Sequence, residues 1–221
     1  MRVKAVLFDI DGTLVDSNDQ HVLAWAAAFA EIGKTFDHEL LHDQIGKGAD
    51  MLVPTLLPGL DAAAVEELGD RHGAIFKARF LDAVRPFPRA RDLLAHVHAN
   101  GQQVVLASSA SKSELDHYLE LLDAHDLVVA TTSADDVRHT KPAPDIFATA
   151  LGKLDGMSAE DVIVVGDTPY DMKAALACGI AAVAVRSGKF ADQVLREAGA
   201  VQIHDDVAAL LADYAASPAG R

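Results

Sequence analysis

The sequence predicts an α/β fold with a doubly wound parallel sheet as its core and an all-helical cap inserted into it. Three observations lead to this prediction. Strand-like and helix-like segments alternate from residue 90 onward, which is typical of parallel sheets with helices on both faces. An apolar, β-rich run at 3–8 predicts a further buried strand. The segment 17–85 has only helical patterns, so it interrupts the sheet after that first strand.

The helical block is bounded by residues that start or end helices. Possible N-caps at 16–19 precede its first helix, Pro58 and Gly59 separate its last two helices, and Pro86 closes the block. Between these boundaries the apolar positions recur with a helical period. The predicted helices cover 21–32, 37–45, 50–57 and 61–81.

The rest of the chain alternates between short apolar runs and amphipathic segments. We therefore expect 1–15 and 86–221 to form the core and 16–85 to form the cap. Residues 217–221 are expected to fray. The predicted strands are 103–107, 127–130, 162–165, 181–185 and 201–203, and the predicted helices are 89–99, 111–122, 145–154, 170–178 and a last one ending near 214.

Composition and charge narrow the classes of partner. The net charge of −14 over 221 residues argues against a nucleic acid or an anionic membrane surface. No apolar run is long enough to span a bilayer, and the first residues lack the pattern of a signal peptide. We therefore expect a cytoplasmic protein, a monomer or weak dimer, whose partner is a small molecule.

Two carboxylates follow the first predicted strand. Asp9 and Asp11 are two residues apart, so in extended chain their side chains point the same way. Two like charges that close repel each other unless a cation or a proton lies between them. The same Asp-Gly pattern is also a hairpin-turn signal. The pair alone therefore predicts either a turn or a metal or proton site.

Polar side chains also follow the other predicted strands. Ser108 and Ser109 follow the second, Lys141 comes after the third, and Asp167 and Asp171 follow the fourth. Each has a simpler interpretation as a helix cap or a solvated side chain. Together at one sheet edge, however, they supply the groups that phosphoryl transfer needs. Oxygen ligands of this kind suit Mg²⁺.

These motifs, in this order, resemble those of the haloacid dehalogenase superfamily of phosphohydrolases. The first motif covers 9–17, the second is Ser108, the third is Lys141 and the fourth covers 166–171. The helical block resembles the small cap of the phosphoglycolate phosphatase and β-phosphoglucomutase group. The resemblance covers essentially the whole chain and implies a Rossmann-like catalytic core.

The resemblance implies a role for each residue of the core motifs. Asp9 would be the nucleophile, and Asp11 would protonate the leaving oxygen and then activate water. Lys141 and Ser108 would bind the phosphoryl oxygens, with Ser109 beside them. Because Asp11 supplies an acid that halide displacement does not need, dehalogenation is not expected.

The resemblance also implies a Mg²⁺ site. The ion would be held by the Asp9 carboxylate, the Asp11 backbone carbonyl and Asp167. Asp171 would bind it through water or support its ligands.

Two cap residues are candidates for substrate contact. His21 and Trp25 lie four apart on one helix face, and in related enzymes the histidine can approach the counterpart of Asp11. Lys47, between two glycines, resembles a cap-loop residue that reaches over the substrate. His21 could equally be part of a packed face, and Lys47 could equally be solvated. The arginine of the mutase cap loop has no counterpart at 49–51.

The function predicted first is a Mg²⁺-dependent phosphatase of a small phosphorylated metabolite, such as a sugar phosphate or phosphoglycolate, acting through an aspartyl-phosphate. A β-phosphoglucomutase-like phosphomutase is the second candidate. A phosphonatase would use Lys47 for a Schiff base. A non-catalytic phosphate-binding or receiver-like protein would share the carboxylates and the lysine, but receivers lack the inserted helices.

Overall fold

A computed structural model of the protein describes residues 3–221. Six strands form one sheet, and every neighbouring pair is parallel. The predicted fold class, a doubly wound parallel sheet with helices, is confirmed. Across the sheet the order is β5 (Val128–Thr132), β4 (Gln103–Ala107), β1 (Ala5–Phe8), β6 (Val162–Gly166), β7 (Ala181–Val185) and β8 (Ala200–His204).

The central strands are apolar on both faces because each face is covered by helices. All four residues of β1 are fully buried. Val6 and Phe8 belong to one hydrophobic cluster, whereas Ala5 and Leu7 belong to the other. This alternation follows from the two-residue period of a strand, and it places the core on both sides of the sheet.

Six helices cover the two faces of the sheet. In residues 3–221 no helix is long and apolar enough to cross a lipid bilayer. The first cluster contains side chains of α5 (Ala90–Ala99), α6 (Lys112–Leu121) and α10 (Val207–Ala212), and the second contains side chains of α7 (Asp145–Gly152), α8 (Pro169–Ala177) and α9 (Asp192–Glu197).

The remaining helices follow β1 and pack around a cluster of their own, which includes Trp25, Phe29 and Leu52. Two short antiparallel strands, β2 (Val15–Asp16) and β3 (Arg85–Pro86), lie where the chain enters and leaves this segment. The division into a core and a cap at 16–85 stays a prediction. The helices of this segment are α1 (Asn18–Glu31), α2 (His38–His42), α3 (Ala49–Leu56) and α4 (Ala62–Arg79).

The expectation that 217–221 frays is wrong. Ser217 and Ala219 are fully buried, and the Val3 amide donates to the carbonyl oxygen of Arg221 at 2.8 Å. These last residues are held in place by the buried side chain of Gln102, which is far away in sequence. Gln102 donates to the carbonyl oxygens of Ala219, at 2.8 Å, and Val3, at 3.0 Å.

Gln102→Ala should lower the free energy of unfolding by about 2 kcal/mol, because it leaves buried carbonyl groups without a donor. Urea unfolding followed by circular dichroism measures this loss, with an unchanged m-value. Gln193→Ala is the control, since Gln193 is exposed and bonds only Glu197 on its own helix. Equal stability of the two variants would contradict the role given to Gln102.

Candidate active site

The candidate site lies where the strand order reverses. From β1 the sheet continues through β4 on one side and through β6 on the other, and ligands of such sheets bind beyond the carboxyl ends of the strands at this point. Asp9 follows β1 and Asp167 follows β6. A cleft of about 810 Å³, lined by Asp9, Asp11 and Ser108 among others, opens there toward the helical segment.

A tight turn after β1 positions the first motif, residues 9–17, at this cleft. The Leu14 amide donates to the Ile10 carbonyl oxygen at 2.8 Å, and the Gly12 amide donates to Val15. Gly12 has φ +76°, and a Cβ there would lie 2.1 Å from Asp167 Oδ2. Only glycine therefore allows this turn to approach the end of β6.

Lys141 is the buried cation of the site. Its Nζ lies 2.5 Å from Asp9 Oδ1, 2.7 Å from Asp171 Oδ1 and 2.9 Å from the Ala107 carbonyl oxygen. Burial alone would lower the pKa of Lys141, but Asp171 and Asp9 raise it above its ordinary value. The side chain is therefore an ammonium group that two carboxylates share.

The carboxylates of Asp9, Asp167 and Asp171 approach one another, with oxygen atoms all within 4.8 Å. Burial raises the pKa of Asp9 to about 7, against the opposing effect of Lys141. Burial, and then the charges of Asp9 and Asp171, raise the pKa of Asp167 well above its ordinary value. A hard divalent cation prefers such oxygen ligands and would relieve their repulsion. The donor set therefore fits Mg²⁺.

The side chains around Asp167 and Asp171 hold them in place. Thr13 donates to Asp167 Oδ1 at 3.1 Å, and Asn18 donates to Oδ2 at 2.9 Å. Asp171 is the third residue of α8 and accepts from the Thr168 amide at 3.0 Å and from its hydroxyl at 2.6 Å. This capping box fixes one oxygen of Asp171 and leaves the other beside Lys141.

The side chain of Asp11 does not join the carboxylate cluster. Its Oδ1 accepts from Ser17 at 2.7 Å and from Tyr118 at 2.8 Å, and lies 3.1 Å from His21 Nε2. Burial would raise the pKa of Asp11, but the charge of His21 and hydrogen bonds from His21, Ser17 and Tyr118 lower it to about 2. The predicted contribution of Asp11 to a metal site, through its backbone carbonyl, stays a prediction.

His21 and His72 extend this network into the helical segment. His21 Nδ1 lies 3.3 Å from His72 Nε2. Burial would lower the pKa of His21, but Asp11 raises it above its ordinary value, whereas burial and His21 lower the pKa of His72 well below its own. A charged His21 can therefore donate to both Asp11 and a neutral His72. Whether His21 touches substrate stays a prediction.

The remaining residues that were predicted to bind substrate are Ser108, Ser109 and Lys47, and each has different neighbours. Ser108 donates to Asp11 Oδ2 at 3.3 Å. Ser109 Oγ is buried and has no hydrogen-bond partner among the described residues. Lys47 lines the cleft, but its Nζ donates to Gln44 at 2.6 Å and lies 4.6 Å from the centre of the Tyr170 ring.

Sequence reasoning missed four of these contacts. Tyr118 and His72 lie on helices where an aromatic side chain ordinarily indicates core packing, and nothing in the pattern distinguishes them. Asn18 was considered only as a helix cap. Thr13 was part of the first motif, but its contact with Asp167 spans 154 residues and only the fold reveals it.

A buried lysine among carboxylates, at the carboxyl edge of a doubly wound sheet, defines an α/β enzyme site suited to transfer of an anionic group. A model of the haloacid dehalogenase-like hydrolases matches residues 3–179. The chain belongs to this family, and the prediction of a phosphatase of this superfamily is confirmed.

Individual relatives agree with the family match. The phosphoglycolate phosphatase of Rhodospirillum rubrum is 28% identical over 94% of this chain and 89% of its own length. The chloroplastic protein SUPPRESSOR OF QUENCHING 1 of Arabidopsis thaliana is 30% identical over 93% of this chain, which spans only 20% of that protein. The crystal structure of a hydrolase from Pseudomonas syringae, 27% identical, superposes with a TM-score of 0.88 over 96% of this chain and 97% of its own.

The metal-free protein should lose stability as the pH rises from about 4 to about 7. Folded Asp9, with a pKa of about 7, keeps a proton that the unfolded chain has already released. Mg²⁺ should therefore raise the melting temperature more at about pH 8 than at about pH 5. Thermal unfolding in Mg²⁺ and in EDTA at both pH values measures the difference.

Asp167→Asn should abolish the Mg²⁺-dependent shift. The control is Asp19→Asn, which removes an exposed carboxylate paired with Lys189 and should keep the shift. Equal stabilisation by Mg²⁺ at both pH values in the wild type would argue against the carboxylate cluster as the metal site.

Proposed function

We propose that the protein is a Mg²⁺-dependent phosphatase of a small phosphorylated metabolite, a sugar phosphate or a phosphoglycolate-like ester, that works through an aspartyl-phosphate on Asp9. The observation that carries this proposal is the contrast between two neighbouring carboxylates. Asp9 lies against Lys141 and the carboxylate cluster, whereas Asp11 lies against His21, Ser17 and Tyr118 on the cleft side. This contrast supports Asp9 as the nucleophile and Asp11 as the acid and base.

In the first step an Asp9 oxygen attacks phosphorus and the ester oxygen leaves with the bonding electrons. Lys141 holds Asp9 in place and offsets negative charge as the phosphoryl group approaches. Ser108 donates a hydrogen bond to a phosphoryl oxygen in place of its present contact with Asp11. Positioning and charge stabilisation provide most of the catalysis in phosphoryl transfer.

Asp11 donates a proton to the leaving oxygen, which departs as an alcohol. In the second step Asp11 takes a proton from water, whose oxygen attacks the phosphorus of the aspartyl-phosphate and restores Asp9. The proton balance is closed, because Asp11 regains from water the proton that it gave to the alcohol. His21 stands within hydrogen-bond distance of Asp11 throughout.

Asp9, the Asp11 carbonyl, Asp167 and Asp171 would hold the Mg²⁺ ion, which when bound neutralises charge on the phosphoryl oxygens. Burial of the cluster supports this assignment, because buried carboxylates that close repel strongly without a cation. Lys141 alone cannot balance three of them.

We take 1–15 and 86–221 as the catalytic core and 16–85 as a cap that encloses the substrate. Two contacts join the proposed cap to the core beside the site. The Gly48 amide donates to Thr140 Oγ1 at 2.8 Å, and Asp50 accepts from the Thr140 amide at 2.9 Å. The cap loop therefore meets Thr140, the residue before Lys141.

Asp9→Asn should lower kcat by about a thousandfold or more on every ester, because a carboxamide cannot replace the nucleophile. Phosphate release with Mg²⁺ measures this loss, and intact-mass analysis after acid quenching should detect phosphoenzyme in the wild type alone. Asp126→Asn, a charge change at an exposed site, is the control. Turnover of Asp9→Asn within tenfold of wild type would refute the mechanism.

Asp11→Asn should act selectively on esters of poor leaving groups. An alkyl alkoxide needs a proton from Asp11 and p-nitrophenolate does not, so kcat/KM should fall by about a hundredfold or more for glycerol phosphate and much less for p-nitrophenyl phosphate. Asp16→Asn, an exposed carboxylate nearby, should change neither value. An equal loss on both esters would remove the acid role from Asp11.

A further inference from the structure

The cleft wall beyond the phosphoryl site carries more carboxylates than lysine and arginine side chains. Glu66, Asp70 and Glu114 line the cleft, and in the described part of the chain none of them forms an ion pair. Asp50 and Asp135 line it as well. The lining lysines and arginines are fewer: Lys47, which donates to Gln44, Lys77, which donates to Ser113, and Arg138. The leaving group of the substrate therefore meets a wall with excess negative charge.

Glu114 is the most constrained of these acids, since its exposure is only 4%. Its Oε2 accepts from the Ser111 amide at 3.0 Å and from the Ser111 hydroxyl at 2.8 Å, which caps α6. Its Oε1 is buried and has no hydrogen-bond partner among residues 3–221. Since an unsatisfied buried carboxylate oxygen is unfavourable, a donor in the cleft would be bound there.

Glu114 lines the same cleft as Asp11, on the helix that also carries a hydrogen-bond donor to Asp11. Tyr118, one helical turn further along α6, contacts Asp11 directly. The charge of Glu114 also contributes to the raised pKa values of His21 and Tyr118. Ser109, which lines the same cleft, has a second buried oxygen without a hydrogen-bond partner among the described residues.

We propose that Glu114 is a specificity-determining residue that selects a neutral, hydroxyl-bearing leaving group and rejects a carboxylate. This inference rests on the proposed phosphatase function. A hydroxyl of the leaving group donates to Oε1, and Ser109 is available to a second hydroxyl. A carboxylate in the same place brings two negative charges together in a site of low polarity, which is strongly unfavourable.

The size of the cleft supports the same substrate class. Its volume of about 810 Å³ lies toward the upper end of the range for small-molecule pockets. Phosphoglycolate would fill only a small part of it. A polyol or sugar phosphate has both the size and the hydroxyl groups that this wall can bind.

Two pairs of esters test the proposal, because the members of each pair differ only in a hydroxymethyl or a carboxylate group. They are 2-hydroxyethyl phosphate with 2-phosphoglycolate, and glycerol 3-phosphate with 3-phosphoglycerate. For the wild type with Mg²⁺, kcat/KM should be at least about tenfold higher for the alcohol of each pair, the effect of one lost or mismatched hydrogen bond.

Glu114→Gln should reduce that preference about tenfold in both pairs. Glutamine can still complete the capping box, so the variant should fold, and circular dichroism and melting temperature check that it does. Glu120→Gln is the matched control, since Glu120 lies on the same helix, is exposed and pairs with His125. It should leave the preference unchanged.

A wild-type preference for the carboxylates would overturn the inference, as would a preference that Glu114→Gln and Glu120→Gln alter equally. Both results would leave the phosphatase function standing, because esters would still be hydrolysed. If no ester released phosphate, p-nitrophenyl phosphate included, the proposed function would fail and this inference would fail with it.

Discussion

The repulsion among three buried carboxylates is the constraint on which the rest of this structure depends. Asp9, Asp167 and Asp171 have oxygen atoms within 4.8 Å of one another, and Lys141 is the buried ammonium group that contacts two of them. One positive charge cannot offset three negative charges in a medium of low polarity. The repulsion must be relieved by protons or by a cation, which is why burial and neighbouring charges raise the pKa values of Asp9 and Asp167, and a bound divalent cation would stabilise the fold where those groups are ionised. Stability is given up locally for function, as is common at active sites.

The fold tolerates the repulsion among these carboxylates because rigid elements hold each of them. Asp9 and Asp167 continue adjacent central strands, so the pairing of those strands fixes their separation. Asp171 belongs to the first turn of α8, where its capping bond to Thr168 limits its rotation. Glycine permits the close approach, since a Cβ on Gly188 would lie 2.2 Å from Asp167 Oδ2. Because these carboxylates stand at strand ends and at the start of a helix, they have little freedom to move apart and reduce their mutual repulsion.

The sequence alone predicts those elements that follow from a local pattern of residues. Two strands, Gln103–Ala107 and Ala181–Val185, have the predicted bounds, because continuous apolar runs between turn residues leave few alternatives. The local pattern did not predict features that depend on long-range contacts or that belong to very short elements. The helix α9, only six residues long, lacks the length for a clear period. The burial of Ala219 depends on Gln102, and the hydroxyl of Tyr118 reaches Asp11 across 107 residues. An aromatic residue on a helix face has the same pattern whether it fills the core or orients a carboxylate.

A pKa of about 2 is low for Asp11, because the acid of the proposed mechanism must carry a proton near neutral pH. The contact with His21 resolves this, because the same attraction that lowers the pKa of Asp11 raises that of His21. The pair therefore retains one proton between two atoms 3.1 Å apart, and that proton can move to the carboxylate when charge develops on the leaving oxygen. Environments that push neighbouring pKa values apart assign distinct tasks to chemically similar groups. Asp9 and Asp11 are two residues apart, and the difference in their surroundings supports the two roles proposed for them, a nucleophile held by Lys141 and an acid that shares a proton with His21. Because His21 lies on α1, the first helix after β1, the proposed mechanism makes the protonation of Asp11 depend on the position of that helix.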